Sequence, residues 1–181
     1  RLVGTAASFH EGALANSNPP QLHTHDRVGH RVDEVEFHPA WHQLMARGVA
    51  DELHALPWNT GKDGAHVARA AIYMSGMQAE AGFCCPITMT FAAVPAFRAT
   101  PELAEQWVPL LTATTYDPQL RPAAEKGSAI CGMSMTEKQG GSDVRANTTY
   151  AVPVNGGGEG AEYRITGHKW FTSDPMCDVF L

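Results

Sequence analysis

The residues of this sequence that could do chemistry concentrate in one stretch between two segments with strand character. Thr136, Glu137, the pair Gly140 and Gly141, and Ser142 lie within the run GMSMTEKQGGSDVRANTT. A hairpin turn needs only two to five residues, whereas this segment is longer, and glycines let a ligand approach the backbone closely. A long surface loop is the alternative. The segment therefore predicts either such a loop or a surface that binds a ligand.

A second stretch of mixed chemistry follows in residues 167–173, GHKWFTS. Trp170 offers a large aromatic face, and Thr172 and Ser173 offer hydroxyl groups that can donate or accept hydrogen bonds. If the strands that carry the two stretches share one sheet, the stretches converge. Their chemistry together suits a flat aromatic ligand, although hydroxyls and backbone donors are common to many kinds of site.

The histidines are a weaker signal. His38 and His42 are four residues apart at a predicted helix start, so one metal ion could contact both side chains. The glutamate of the HExxH pattern is missing, and helix-capping or interface histidines are therefore favoured over a metal site. His23, His25 and His30 are interpreted as solvated or hydrogen-bonded loop residues.

A nucleophilic active site is not favoured either. Ser142 lies in GGSDV rather than in the GxSxG pattern of hydrolases, and its neighbour Asp143 cannot complete a triad by adjacency alone. Cys84 and Cys85 are predicted to be core thiols near a helix start, because free cysteine is usually buried. Hydrolase chemistry is therefore not predicted.

Composition limits the class of protein. Of 181 residues, 44% are hydrophobic and 18% charged, which is typical of a globular chain, and no apolar run is long enough to span a membrane. The net charge is −6 and the 13 Lys and Arg are scattered, so these residues show no basic patch for nucleic acid. Four cysteines without a CxxC spacing predict reduced thiols and a cytoplasmic location.

Residues 1–120 are predicted to form an all-α helical domain. Residues 16–30, rich in Pro and polar side chains, are interpreted as an ordered loop within it. Residues 37–56 have helical periodicity, and the predicted buried face consists of Trp41, Leu44, Met45, Val49 and Leu53. A further helix is predicted over residues 64–83, and its predicted buried stripe is Val67, Ala71, Met74 and Ala81. A buried helix after Cys85 should end or kink at Pro95.

Residues 121–181 have a different texture. Residues 147–154 and 161–173 alternate apolar and polar side chains, as half-buried strands do, and the glycine-rich turn NGGGEG separates them. Helices followed by antiparallel strands predict an α+β layout with two regions. The chain begins with Arg1 rather than Met and ends in a strand-like run, so we expect it to be part of a longer protein.

At these motifs the sequence resembles the acyl-CoA dehydrogenase family of flavoproteins. The family's Thr-Glu pair, its Gly-x-Gly-Ser-Asp-Val run and its later Gly-x-Lys-x-Trp segment are matched by residues 136–137, 140–144 and 167–172. The resemblance is closest to the AidB-like branch, through DEVEFHPAWHQLM, CPITMTFAAVP, MTEKQGGSDV and GHKWF. Two linked motifs in the right order are a specific signal.

The resemblance implies a fold and a cofactor. An N-terminal helical domain, residues 1–120, would precede the first part of an antiparallel β-barrel domain, residues 121–181, and a C-terminal helical domain would be missing. The implied cofactor is FAD. Its pyrimidine side would meet the backbone of 133–135 and the Thr136 hydroxyl, Ser142 would reach the pyrophosphate, and 170–173 would line the ring near N5. The implied cofactor-binding residues are Met133, Ser134, Met135, Thr136, Gly141, Ser142, Trp170, Phe171, Thr172 and Ser173.

The resemblance also implies a reaction, the α,β-dehydrogenation of a short branched acyl-CoA such as isovaleryl-CoA, with hydride passing to the flavin. The family's glutamate base lies in the missing domain, so no catalytic residue is assigned here, and Glu137 is not given that role. The alternative is a flavin-containing protein that binds DNA and protects it from alkylation, with little dehydrogenase activity. A homotetramer is implied for the intact protein, and the isolated chain is expected to hold FAD weakly or not at all.

Overall fold

Helices dominate the first 111 residues, and short strands dominate the rest. The structure, a computed structural model, describes residues 4–181. The helices are α1 Ala6–Ser17, α2 Pro39–Ala50, α3 Leu56–Thr60, α4 Ala65–Gly76, α5 Cys84–Phe97 and α6 Pro101–Leu111. The strands are β1 Gln21–His25, β2 Arg31–Glu36, β3 Cys131–Gly132, β4 Tyr150–Pro153, β5 Tyr163–Thr166 and β6 Val179–Phe180. The α+β class predicted from the sequence is thereby confirmed, although two strands lie among the helices.

Helix α2 forms the centre of the core. Pro39 opens the helix, where its missing N–H costs no hydrogen bond, and the backbone N–H of Ala40 donates to Nδ1 of His38 at 3.1 Å. The predicted buried face is confirmed for Leu44, Met45, Val49 and Leu53, whereas Trp41 is half-buried. These side chains pack on the start of α5 through Phe83, Cys84 and Ile87.

Helix α5 connects the helical part to the first strand. Its second half packs with Leu111 of α6 and Cys131 of β3 in a second apolar cluster. The Thr90 hydroxyl donates to Pro86 at 2.8 Å and accepts the backbone N–H of Cys131 at 3.0 Å. Pro95 lies in the last turn, and the helix ends two residues later at Phe97, as expected of an internal proline. The path of the chain into the strand region is therefore fixed by buried contacts.

The predicted buried face of α4 is wrong. Val67 is 74% exposed and Met74 65% exposed, so the Val-Ala-Met stripe points away from the bundle. The inward face contains Arg69 and Tyr73 instead. The Arg69 guanidinium lies 3.6 Å from the ring centroid of Phe91 on α5. A cation stacked on an aromatic ring replaced the aliphatic contact that periodicity predicted.

The prediction of an all-α first domain is also wrong, because β1 and β2 form an antiparallel hairpin within it. Two thirds of the predicted loop, residues 16–30, is strand β1 and its turn. The Asp26 carboxylate accepts the backbone N–H groups of Val28 and His30 at 2.8 and 2.9 Å, and Gly29 has a φ of +93°. Asp and Gly therefore build a turn that pairs the flanking strands.

Strands β4 and β5 form the predicted antiparallel hairpin, with Tyr150 opposite Thr166 and Pro153 opposite Tyr163. All their residues are exposed, so the prediction of half-buried strands is wrong. Strand β3 pairs with β6 in parallel, with Cys131 opposite Val179. In residues 4–181 the strands form separate two-stranded sheets, and a closed barrel is not present there.

No helix within residues 4–181 combines the length and the apolar character needed to cross a membrane.

Candidate functional site

The structure brings the two chemically suggestive stretches into direct contact. The backbone N–H of Trp170 donates to the Thr136 carbonyl at 2.8 Å, and the Ser134 hydroxyl donates to the Thr172 hydroxyl at 3.1 Å. Isolated antiparallel bridges also join the two segments. Residues more than 30 positions apart therefore form one surface, as expected if both motifs contact one ligand.

The contact is organised around the buried carboxylate of Glu137, whose side chain is only 1% exposed. Both carboxylate oxygens accept hydrogen bonds from the residues just before β4. Thr148 donates its backbone N–H at 2.8 Å and its hydroxyl at 3.0 Å, and Thr149 donates its own pair at 2.9 and 2.5 Å. The Lys169 ammonium, in the second motif, lies 3.1 Å away. One side chain thus fixes the first motif, the start of β4 and the second motif together.

These donors hold the pKa of Glu137 well below its usual range, the backbone N–H of Thr148 and the hydroxyl of Thr149 being the leading causes. A carboxylate with so low a pKa is a poor proton acceptor at neutral pH. The structure therefore gives Glu137 a structural role, and the sequence prediction that it is not the catalytic base is consistent with its environment.

Next to the Glu137 cluster in sequence lies an exposed surface, which we call the platform. It consists of Met135, Thr136, Trp170 and Phe171. Trp170 is 43% and Phe171 82% exposed, and their rings meet at 83° with centroids 6.0 Å apart. Phe171 has a φ of +53°, a conformation that costs energy for a residue with a bulky side chain. The chain therefore holds two aromatic rings out of the core in a strained backbone geometry.

Several hydrogen-bond donors at the platform have no partner in the described part of the chain. They are the backbone N–H groups of Met135, Thr136, Phe171 and Thr172. Unpaired donors beside an exposed aromatic face are suited to a flat ligand that carries acceptors on its edge. The platform can therefore offer both a face and an edge to the same molecule.

The glycine loop divides into a packed and an open half. A β-carbon on Gly140 would lie 2.6 Å from Oδ1 of Asn147, so a larger residue there would displace the Asn147 side chain. A β-carbon on Gly141 would meet only the Thr136 methyl carbon, at 3.7 Å, and Ser142 beside it is exposed. The open half, which contains the two predicted binding residues, is the part that a ligand can approach.

The remaining predicted site residues face the protein. The Met133 carbonyl accepts the backbone N–H of Ser173 at 3.4 Å, and the Ser173 hydroxyl accepts a hydrogen bond from the Cys85 thiol at 3.3 Å. The backbone N–H of Ser134 donates to Leu181 at 3.3 Å. Met133, Ser134 and Ser173 therefore use these groups in hydrogen bonds to the rest of the chain, and those groups are not open to a ligand.

The cysteine prediction is half right. Cys84 is buried, and burial raises its pKa to about 11, whereas Cys85 is exposed beside Ser173.

Among the predicted metal candidates, His38 caps α2, and Nδ1 of His42 lies 2.9 Å from the Tyr116 hydroxyl. Both histidines therefore have structural partners.

Sequence reasoning missed Asn147, Thr148 and Thr149, which complete the Glu137 cluster. Asn147 donates to the Met135 carbonyl at 2.7 Å. The available signal was the Asn-Thr-Thr run placed directly before a strand, where side chains often bond to nearby backbone groups. Gly167 belongs with them, because a β-carbon there would lie 2.1 Å from the Thr149 hydroxyl.

Comparison with solved structures gives the class of fold. The chain superposes on the structure titled "Bd2924 apo-form" with a TM-score of 0.81 and 27% identity, over 95% of this chain and 33% of that one. It superposes on Caenorhabditis elegans ACDH-11, solved in complex with C11-CoA, with a TM-score of 0.76 and 27% identity, over 93% of this chain and 28% of that one. The fold is that of the N-terminal region of acyl-CoA dehydrogenases.

Sequence comparison gives the family. The family described as the adaptive response protein AidB N-terminal domain matches residues 1–118, and the chain belongs to that family. It is 48% identical over 181 residues to AidB of Escherichia coli (strain K12). It is 29% identical over 184 residues to acyl-CoA dehydrogenase family member 11 of Caenorhabditis elegans. The chain covers 33% and 28% of these proteins, about a third of their length.

Proposed function

We propose that this chain supplies the isoalloxazine-facing part of an FAD site in an acyl-CoA dehydrogenase-like oxidoreductase. The observation that carries the proposal is the platform, where Trp170 donates to Thr136 at 2.8 Å and both motifs present unpaired donors beside exposed rings. The acyl-CoA dehydrogenase names of related proteins support the same class of chemistry. Bound FAD would supply the two-electron acceptor of such a reaction.

The platform fits a flavin by the chemistry of its donors. The face of Trp170 would pack on the fused ring, since aromatic rings prefer offset or edge contact with one another. The N–H groups of Met135 and Thr136 would donate to pyrimidine carbonyls, and those of Phe171 and Thr172 to the opposite edge near N5. The exposed Ser142 would donate to the pyrophosphate, beside the open side of Gly141.

We further propose an acyl-CoA as the substrate class of the whole protein, because the structure of the related ACDH-11 is a complex with C11-CoA. A short branched chain such as isovaleryl is the specific candidate. In the flavin-loaded whole protein, anaerobic addition of isovaleryl-CoA should bleach the flavin absorbance. Duplex DNA binding that weakens steeply with salt, without bleaching, would favour the AidB-like alternative of DNA protection.

The cofactor proposal can be tested on the 181-residue chain itself. We expect FAD to shift the NMR signal of the Trp170 indole with a dissociation constant of about 0.1–1 mM, since one open surface gives weak binding. Followed by the backbone amide signals of Phe171 and Thr172, FAD binding to Trp170→Ala should be about tenfold weaker, as expected for loss of a stacked ring. ADP at the same concentration should leave the indole signal unchanged.

Tyr150→Ala is the matched control, because Tyr150 is an exposed aromatic residue of the adjacent hairpin that lies outside the platform. It should leave FAD binding unchanged. If ADP shifts the indole as FAD does, or if both variants lose binding equally, then the platform does not recognise the isoalloxazine and the proposal is wrong.

A further inference from the structure

A second concave site lies away from the platform residues. Strand β2, the start of α2, residues 116–120 and residues 174–178 enclose a cavity of about 130 Å³. The hairpin is tied to its far wall by the backbone N–H of Val35, which donates to the Met176 sulfur at 3.3 Å. The cavity is therefore a built feature of the fold, and neither motif discussed above explains it.

Aromatic rings form one wall of this cavity. Phe37 stacks on Trp41 with centroids 4.0 Å apart and planes 19° apart, and the edge of His42 meets Trp41 at 5.3 Å. Tyr116 stacks on His42 at 6.0 Å. Burial lowers the pKa of His42 and raises that of Tyr116, so both rings are neutral at pH 7. The wall is an uncharged aromatic array.

The carboxylates that line the same cavity are unevenly paired. Asp178 contacts the Lys126 ammonium at 2.8 Å and accepts the backbone N–H of Ile130 at 2.9 Å. Asp117 contacts Arg121 at 2.7 Å. The Asp174 carboxylate makes no hydrogen bond or ion pair with the described residues, although Asp174 also lines the cavity and has a φ of +49°. An acceptor is thus left open in the same cavity as the aromatic rings.

We propose that this cavity binds a small organic cation, an ammonium or alkylated ammonium headgroup, between the aromatic wall and the Asp174 carboxylate. Aromatic faces attract cations through the ring quadrupole, and the attraction grows when the cation leaves water. The unpaired carboxylate supplies the counter-charge. The cavity is smaller than the ~300 Å³ at which sites for whole small molecules begin, so a headgroup fits it better than a complete drug-sized ligand.

The charge of Asp174 makes the binding sensitive to pH. Burial raises the pKa of Asp174 to about 6, the nearby Asp178 carboxylate adds to the effect, and the Lys126 ammonium opposes it. The other titratable or charged side chains that line the cavity are Glu34, His42, Tyr116, Asp117, Lys126, Cys177 and Asp178. Because Asp174 is mostly ionised at pH 7.5 and mostly protonated at pH 5, cation affinity should fall as the pH is lowered across this range.

Choline and its neutral carbon analogue 3,3-dimethylbutan-1-ol provide the test on the 181-residue chain. We expect choline to shift the NMR signals of Trp41 and Tyr116 with low-millimolar affinity, about tenfold tighter than the alcohol, at constant ionic strength. The difference should shrink at least fivefold between pH 7.5 and pH 5 in the unmodified chain.

Two variants locate the binding energy. Asp174→Asn should weaken choline binding about tenfold and leave alcohol binding unchanged. Glu36→Gln removes a carboxylate of strand β2 that does not line the cavity, and it should change neither. Equal affinity for choline and the alcohol, absence of binding, or a choline affinity insensitive to both pH and Asp174→Asn would each overturn the proposal. The pH series keeps the test decisive if the Asp174 variant does not fold.

Discussion

The helical core and the platform are held together by different forces. Around α2 and α5, buried aliphatic side chains such as Leu44 and Ile87 pack with almost no exposure. At the platform, the apolar side chains are exposed, and the polar cluster on Glu137 holds the backbone in place. One region therefore stabilises the chain through burial, whereas the other keeps apolar side chains exposed.

The largest effect should come from the core. Leu44→Ala deletes a side chain that is 2% exposed, so we expect the free energy of unfolding to fall by about 3 kcal/mol, through lost burial and the cavity left behind. Urea unfolding measures it. Val67→Ala, on the exposed face of α4, is the control and should cost less than about 0.5 kcal/mol. Equal losses would show that α4 is covered and that the assignment of its faces is wrong.

A smaller and local effect is expected at the platform. Gly167→Ala places a β-carbon 2.1 Å from the Thr149 hydroxyl and 2.7 Å from the Thr149 β-carbon, which cannot rotate away. Overpacking of this size usually costs about 2 kcal/mol, so we expect the free energy of local opening at the Trp170 amide to fall by about that amount. Amide hydrogen exchange of Trp170 and Leu44 reports it, with Trp170 changed and Leu44 unchanged.

Gly127→Ala is the matched control, because a β-carbon at Gly127 meets no atom within 4 Å. If Gly167→Ala speeds exchange at Leu44 as much as at Trp170, the platform and the core unfold together and the contrast between them fails.

The cavity beside Asp174 and the Glu137 cluster under the platform should respond to pH in opposite senses. The pKa of Asp174 is raised to about 6 by burial, whereas its value in an unfolded chain is about 3.9. A raised acid pKa favours folding at low pH, and that contribution is lost as the pH rises through 6. We therefore expect Asp174→Asn to stabilise the chain by roughly 1–2 kcal/mol at pH 7 and by almost nothing at pH 4, measured by urea unfolding at both values.

Glu137 should behave in the opposite sense. Its pKa is held below the unfolded value of about 4.3, so its contribution to stability is present at neutral pH and declines as the pH falls below that value.

The Asp174 prediction fails if Asp174→Asn gives the same stabilisation at pH 4 and pH 7, because desolvation of the Asp174 carboxylate would then not be the cause.

The smallest effect on stability should come from Phe171. Phe171→Ala removes a ring that is 82% exposed, so the free energy of unfolding should change by less than about 0.5 kcal/mol. Under the proposed function, the same variant should weaken FAD binding several-fold. Phe9→Ala, an exposed ring on α1, should change neither quantity. A large loss of stability for Phe171→Ala would show that the ring belongs to the core.

Local patterns predicted the parts of the molecule that depend on local forces. The buried face of α2 followed from helical periodicity at Leu44, Met45 and Val49. The turn between β4 and β5 followed from its glycines. The convergence of the two motifs was an expectation that depended on the strands lying side by side, and the bond from Trp170 to Thr136 bears it out.

Other features depend on tertiary choices that sequence patterns do not encode. Helix α4 carries two candidate inward faces, and stacking of Arg69 on Phe91 decided against the aliphatic one. The Glu137 cluster joins residues 11 and 12 positions away to Lys169, 32 positions away. The cavity beside Asp174 needs four separate segments to meet. Each of these outcomes required knowledge of which neighbours are near in space.

The Glu137 cluster has a consequence for how the chain can vary. The cluster binds the residues before β4 and the residue Lys169 after β5, so the hairpin between them is anchored at its base. The turn at residues 154–162 lies beyond that anchor and is largely exposed. Doubling the length of a flexible loop costs only about 0.6 kcal/mol. This turn can therefore accept insertions, such as a longer loop in a relative or a reporter domain, while the platform keeps its geometry.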